Sequence, residues 1–291
     1  RILVLSELPE GSEAAALAAE LTPAVYTETG IERLAAAASA AGKHDLPVHL
    51  KIDTGMHRVG VHPPERARAF AGHVAASGLR LQGLWTHLAK AEDDAATRAQ
   101  LDRFSRARGE VEALTGTPEY VHAANSAASV LRPESHLDLV RIGIAMYGLE
   151  PAPGAGPEAL RPAMTLRSAV TLTKRVSTGE GISYGLEYRL KEESTIATVP
   201  IGYADGYRRA FSSKADALVR GRRRPVAGIV TMDQLMLDCG DDDVEVGDEV
   251  VLLGAQGSER IGANELGALA GTIGYEIVSS IGRRVPREYR G

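Results

Sequence analysis

LQGLWTHLA, residues 81–89, is followed by a polar break, a long amphipathic pattern from about Asp94 to Thr115, and then YVHAA at residues 120–124. A short apolar run, a stretch of helical period and a second short apolar run describe a strand, a crossover helix and a parallel strand. The same unit repeats upstream. ILVLSEL (2–8) reads as a strand and Ser12 caps a helix running to Leu21; PAVYT (23–27) is the next extended run, with a helix from about Ile31 to Ala41. PVHLKID (47–53) is the third strand, and its helix spans Pro64 to Ala76. Downstream, Asn125-Ser126 opens a short helix, and VRIGIAMYG (140–148) reads as a sixth strand. Strands spaced by ~25 to 35 residues with helices between them predict a parallel sheet, either a β/α barrel or a doubly wound sheet.

The strand ends favour the barrel. Lys51 and Asp53, His87, His122 and Asn125 all close an apolar run, and a β/α barrel gathers its chemistry at the carboxyl ends of its strands. VRIGIAMYG is the odd strand of the set, because an arginine is seldom buried unpaired and an interior glycine costs packing. Something is expected to sit against Arg141 and Gly143. A barrel needs eight strands and about six are legible, so two βα units, roughly 60 residues, are missing from the pattern. Phosphate in such barrels often binds after the last two strands, which suits Asn125-Ser126 and Gly143-Ile144 and makes the first visible strand the third.

After Pro151–Pro157, a Pro/Gly/Ala stretch read as a linker, the alternation stops. AMTLRSAVTLTKRV, STIATVPIGYADGY, RPVAGIVTMDQLMLDCG and DEVVLLG follow as strands, with a closing helical segment from about Asn264 to Ile281. The expected layout is therefore a partial β/α barrel over residues 1–152 and a mainly β domain over 153–291.

Composition limits the function. The 291 residues carry a formal charge of −5 and 44% hydrophobic side chains, and no basic block reaches five residues except RGRRR at 220–224, read as a solvated hairpin tip. No nucleic-acid surface is expected. Cys239 is the single cysteine, no apolar run nears membrane length, and a cytoplasmic protein without membrane contact is expected. No metal-ligand spacing is present.

KIDTGMHRVG at Lys51, HAANSAA at His122, RIGIAMYG at Arg141, GISYGLEY at Gly181, IGYADGY at Ile201, TMDQLMLD at Thr231 and IGYEIVSSI at Ile273 resemble, in order along the chain, the alanine racemase family. The resemblance implies a pyridoxal 5'-phosphate enzyme that interconverts L- and D-alanine through an aldimine and two-base proton transfer, supplying D-alanine for peptidoglycan. It implies that Arg141 meets the pyridine nitrogen; a guanidinium only donates, which would keep that nitrogen unprotonated. Tyr184 resembles one of the two bases, His87 the residue linking it to Arg141, and His122 a partner of that arginine.

Ser126, Gly143, Ile144 and Tyr275 resemble the phosphate cradle, with Asn125 and Leu88–Ala89 near the ring. Arg58 resembles the arginine that contacts the ring oxygen or the substrate carboxylate. Lys51 matches a lysine that is carbamylated in several members, a simple ion pair being the alternative. Met232 and Asp233 match the substrate-carboxylate segment and Tyr203 the entrance, while Thr231 departs slightly from the usual residue there. Tyr184, Tyr203 and Met232 would reach the site of a second subunit, which implies a homodimer. The family's cofactor lysine lies in a KADAYGHG-like segment that none of the six lysines here matches, so the 291 residues alone are expected to be inactive. A broader amino-acid racemase acting on serine or lysine, and a catalytically dead dimerising module, are the alternatives.

Overall fold

The computed structural model describes residues 1–156 and 160–290. Two compact units emerge: Arg1–Met146 with the segment from Glu150, and Tyr147–Leu149 with the chain from Leu160 onward. Pro157, the last residue of the expected linker, lies outside the described residues.

The first unit alternates as expected: β1 (Ile2–Val4), α1 (Glu13–Ala18), β2 (Leu21–Val25), α2 (Glu28–Ala40), β3 (Pro47–Lys51), α3 (Ala67–Ala76), β4 (Arg80–Trp85), α4 (Asp94–Thr115), β5 (Tyr120–His122) and α5 (Ser126–Leu131). The five strands pair in parallel in sequence order. Side chains alternate across a strand, so the sheet acquires two different faces. Val48, Leu50, Leu84 and Val121 point toward the helices and pack with Ile31, Leu34, Phe70, Val74, Phe104 and Val111. His49, Lys51, Gly83, Trp85 and His122 fall on the opposite face, with Lys51 beside Trp85 and Trp85 beside His122 in the register.

Caps explain where the helices start. Thr27 accepts from the Gly30 N–H at 2.9 Å, Asp93 from Ala96 at 3.0 Å and Asn125 from Ala128 at 3.0 Å, each serving a donor that lacks an intrahelical partner. Ser12 makes no such cap; its hydroxyl donates back to the Pro9 carbonyl, and α1 stops at Ala18, before Leu21 enters β2.

VRIGIAMYG is not a strand, which corrects the sixth-strand expectation. Arg141 makes a single main-chain bond to Ala124 (N to O, 3.0 Å), and the chain then turns into a 3₁₀ helix at Ile144–Tyr147. The physical reason lies in its side chains: Arg141 is drawn to polar groups at the ends of β4 and β5, and the Gly143 N–H to the Ser126 hydroxyl, so no ladder can extend.

The second unit is antiparallel throughout. It comprises β6 (Leu166–Ala169), β7 (Leu172–Val176), β8 (Gly181–Ile182), β9 (Tyr188–Arg189), β10 (Ser194–Val199), β11 (Asp216–Val219), β12 (Arg222–Pro225), β13 (Leu235–Asp238), β14 (Glu249–Gln256) and β15 (Glu259–Ile261), then α6 (Ala263–Leu269) and α7 (Gly274–Ser280). Strands β13, β10 and β7 form one sheet; β12, β11, β14 and β15 form another, with β6 on β14. The run at 163–176 is thus two strands in two sheets, and the closing helical segment is two helices broken at Gly271, whose φ of 69° ends the first. Arg220 and Gly221, at φ 51° and 72°, make the tight turn joining β11 to β12. Of RGRRR only Arg220-Gly221 form the hairpin tip, while Arg222–Arg224 belong to β12 and Arg224 is largely buried rather than solvated; the arginines pair with Asp248, Asp242, Glu259 and Glu265.

Candidate active site

Arg141 is the hub of the first unit. Its terminal nitrogens donate to His122 Nδ1 (2.7 Å), to the carbonyls of Thr86 (2.8 Å) and Ala123 (2.9 Å), and more weakly to His87 Nδ1 (3.3 Å). The guanidinium lies 4.7 Å from the Trp85 ring centre, and Lys51 Nζ lies 4.4 Å from the same ring. Trp85 also stacks on His122, the planes 9° apart. One nitrogen is left over: Arg141 Nε is buried without a partner, a costly state for a donor that never loses its proton.

The electrostatics follow from crowding cations together. Burial, then the fields of Arg58 and Arg141, lowers Lys51 to about 8. His87 falls to about 4, from burial and then Arg141, and burial alone lowers Arg141 to about 10. Among the described residues no carboxylate lies within ion-pair distance of Lys51, so the simple-ion-pair alternative is not what the geometry gives.

Around the hub, loops are pinned by buried polar groups. Asp53 Oδ1 accepts from the N–H groups of Gly55, Met56 and His57 (2.9–3.0 Å), shaping the turn that carries Arg58. Burial raises the Asp53 pKa, but those three donors outweigh it and the net shift is downward. Thr54 and Thr86 share a hydrogen bond of 2.7 Å, and Gln100 from α4 accepts from Ala89 N and donates to the His87 carbonyl, clamping the loop after β4. Asn125 donates to the Leu88 carbonyl at 3.0 Å and closes on His87 Nε2 at 3.4 Å. The buried Ser126 hydroxyl accepts from Gly143 N at 2.7 Å; a Cβ at Gly143 would meet only that hydroxyl, at 3.7 Å, so the backbone beside Ile144 is open to an approaching group. Trp85, Thr86, Gln100 and His49 are the residues that sequence reasoning missed.

The second unit holds its candidates differently. Tyr184 is 73% exposed, flanked by Ser183 (φ 65°), Gly185 (φ 77°) and Leu186 (φ 53°), three left-handed residues around one side chain. Ser183 is anchored by its hydroxyl on the Ile229 carbonyl, 2.8 Å. Tyr203 and Met232, 43% and 53% exposed, sit on neighbouring loops joined by main-chain bonds from Tyr203 N to Thr231 O and Ala204 N to Met232 O, both 3.0 Å. Gly202 permits this, since any Cβ there would strike the Thr231 and Met232 carbonyls. Asp233 is tied to Arg284 at 2.7 Å, a partner not anticipated from sequence, and Tyr275 is the second residue of α7. Among the described residues no group of His, Cys, Asp or Glu is placed to hold a metal ion, and no helix is long and apolar enough to cross a membrane.

Fold and site together define a class: a β/α-barrel-type unit with an arginine-centred polar site, joined in one chain to an antiparallel β unit. Residues 1–151 match the alanine racemase N-terminal domain and residues 163–289 the alanine racemase C-terminal domain. The chain belongs to the alanine racemase family. It is 51% identical over 248 residues to alanine racemase of Symbiobacterium thermophilum, covering 84% of this chain and 66% of that protein's length. The crystal structure of alanine racemase from Bacillus anthracis with bound L-Ala-P superposes with a TM-score of 0.88 at 36% identity, covering 98% of this chain and 74% of that one. That of Bartonella henselae alanine racemase with covalently bound pyridoxal phosphate gives 0.86 at 26% identity, covering 99% and 79%.

Proposed function

We propose that the protein is an isomerase that interconverts L-alanine and D-alanine with pyridoxal 5'-phosphate, providing D-alanine for peptidoglycan. The observation that carries this is Arg141: a guanidinium held on every side except Nε, whose buried N–H calls for an acceptor such as a ring nitrogen. The cofactor suits the residues present. Arg141 would meet its ring nitrogen, the Ser126 hydroxyl, the open backbone at Gly143 and Ile144, and Tyr275 would hold its phosphate, and Asn125 would flank the ring. When bound, it supplies an electron sink for a substrate α-carbon.

The chain's own residues do the rest. A permanently protonated arginine at the ring nitrogen tempers that sink, which favours return of a proton to the α-carbon over side reactions. Tyr184 takes or returns the proton on one face, its side chain being exposed and its backbone fixed by the turn. Its opposite number is a lysine on a KADAYGHG-like segment that these 291 residues do not contain. His87, whose pKa burial and then Arg141 lower to about 4, would be the residue that links Arg141 to the phenol of a second subunit. Arg58 and the Met232–Asp233 segment receive the substrate carboxylate, and Tyr203 borders the entrance.

The exposed Tyr184, Tyr203 and Met232 support a homodimer in which they complete a second subunit's site. Lys51 supports carbamylation: its lowered pKa leaves neutral amine to react with CO2, and Arg58 and Arg141 would stabilise the anion. Native mass spectrometry checks this as an added mass of one CO2 that acid removes. For the function itself, the protein expressed from its complete gene should bind one pyridoxal phosphate per chain and racemise alanine faster than serine or lysine. Faster turnover of serine or lysine would overturn the substrate assignment, and no racemisation at all would overturn the reading.

A further inference from the structure

His122 holds more than Arg141. Its Nε2 lies 2.9 Å from Nδ1 of His49, a buried histidine on β3 that the reaction leaves unused. The Gln82 side chain offers His49 an acceptor that pulls its pKa upward, and Gln82 Nε2 donates to Glu119 Oε2 at 2.8 Å. Glu119 is half exposed and faces Arg80 at 3.5 Å. The chain of contacts therefore runs from the hub at one end of the sheet to a solvated carboxylate at the start of β5.

The direction of every bond in this chain can be deduced. Arginine only donates, so His122 Nδ1 accepts. Burial, then Arg141 and His49, lowers His122 to about 2; burial lowers His49 to about 4 against the opposing pull of Gln82 and Glu119. Each ring thus carries one proton near pH 7, and with Nδ1 accepting, His122 holds it on Nε2 and gives it to His49 Nδ1. His49 must then carry its own proton on Nε2, and the Gln82 carbonyl is the acceptor that its raising influence marks out for it. The Gln82 amide completes the run by donating to a carboxylate.

Two backbone features are built around this path. A Cβ at Gly83 would collide with the His49 ring, so the glycine is what leaves room for that ring. The β3–β4 register also slips, Val48 facing Leu81 but His49 facing Gly83, which makes Gln82 the extra residue of a bulge. Bulges re-aim a side chain, and here the side chain is buried beside His49 and held at its amide nitrogen by Glu119.

We infer that His49, Gln82 and Glu119 form, with His122, a one-way hydrogen-bond relay that positions the Arg141 guanidinium and leaves only its Nε to be presented. The relay rests on the reading of Arg141 as the arginine facing a ring nitrogen. His49 and Gln82 are positioning residues: they act through His122, and each bond in a chain of aligned donors polarises the next. Without them, His122 could turn its proton to Nδ1 and confront Arg141 donor to donor.

Nitrogen-15 NMR of histidine-labelled protein at pH 7 tests the relay without requiring turnover. Both rings should show a proton-bearing Nε2 and a bare Nδ1. Gln82→Met, similar in length but lacking the acceptor, should mix the His49 tautomers, broaden His122 and lower kcat about tenfold while KM stays within about twofold. His49→Gln, which can accept from His122 and donate onward, should keep kcat within about threefold of wild type. Glu119→Ala, at a half-exposed position that keeps the fold, should shift the His49 tautomers in the same direction but less. A protonated Nδ1 on either wild-type ring overturns the inference, as does Gln82→Met with unchanged tautomers or unchanged kcat. If the wild-type protein racemises nothing, the functional reading fails, and the tautomers still decide whether the relay exists.

Discussion

The two units hold their candidate groups in opposite ways. In the first, Arg141, His122 and Lys51 meet at the carboxyl ends of the strands and are fixed by side-chain bonds and ring contacts. In the second, Tyr184, Tyr203 and Met232 stand in solvent, fixed by their backbone: three left-handed residues around Tyr184 and crossed main-chain bonds between the other two loops. Groups that must hold a charged or aromatic partner still are anchored by their tips. Groups that must reach something outside their own unit are anchored by their roots, leaving the tips free.

The contrast can be broken by substitution. Tyr184→Phe should lower racemisation by about 10²- to 10⁴-fold in at least one direction, the range for losing a positioned acid or base, while the urea midpoint stays put. A stability loss at this exposed phenol would contradict the division drawn above. Arg141→Met should act the other way round: it strips donors from the Thr86 and Ala123 carbonyls and from His122, and should cost roughly 2–5 kcal/mol in chemical denaturation. Unchanged stability would show that the tips in the first unit are not anchors.

The pH dependence sharpens the same point. His49, His87 and His122 have folded pKa values below the ordinary 6.5, so the unfolded chain binds more protons once pH drops beneath that value. Their neutral burial stabilises above pH 6.5, and that stability is lost as pH falls toward about 4 for His49 and His87 and toward about 2 for His122. Thermal midpoints measured from pH 7 to pH 4.5 should fall steadily, and His49→Gln should flatten the slope. Gly185→Ala comes next, since φ of 77° suits glycine and an alanine there should cost about 1–2 kcal/mol. It should lower turnover as well, because the turn directs Tyr184. Arg222→Gln at the exposed hairpin should change stability by less than about 0.5 kcal/mol, although Arg222 is paired with Asp242.

Much of this was legible in the residues. The β/α alternation, the span of α4, the helix opening at Asn125-Ser126 and the change to a strand-rich second unit all follow from period and punctuation. The segment at Val140–Gly148 was not legible as structure, because an apolar run looks the same whether it joins a ladder or lies across strand ends. What decides it is where Arg141 and Gly143 find partners, and those come from β4, β5 and α5. Gln100 escaped notice for a similar reason: a polar residue on an amphipathic helix reads as surface until a loop folds over it. His49 and Gln82 left one faint trace. A glycine following a glutamine inside an otherwise packed strand marks a bulge, and the strand before it carries His49 and Lys51 two residues apart on a single face.

Trp85 is the only tryptophan in the chain, and it lies stacked on His122 beneath Lys51 and Arg141. The molecule therefore carries an intrinsic fluorophore inside the cluster of charges. Its emission will register titration, carbamate formation or the arrival of a conjugated ring without any label.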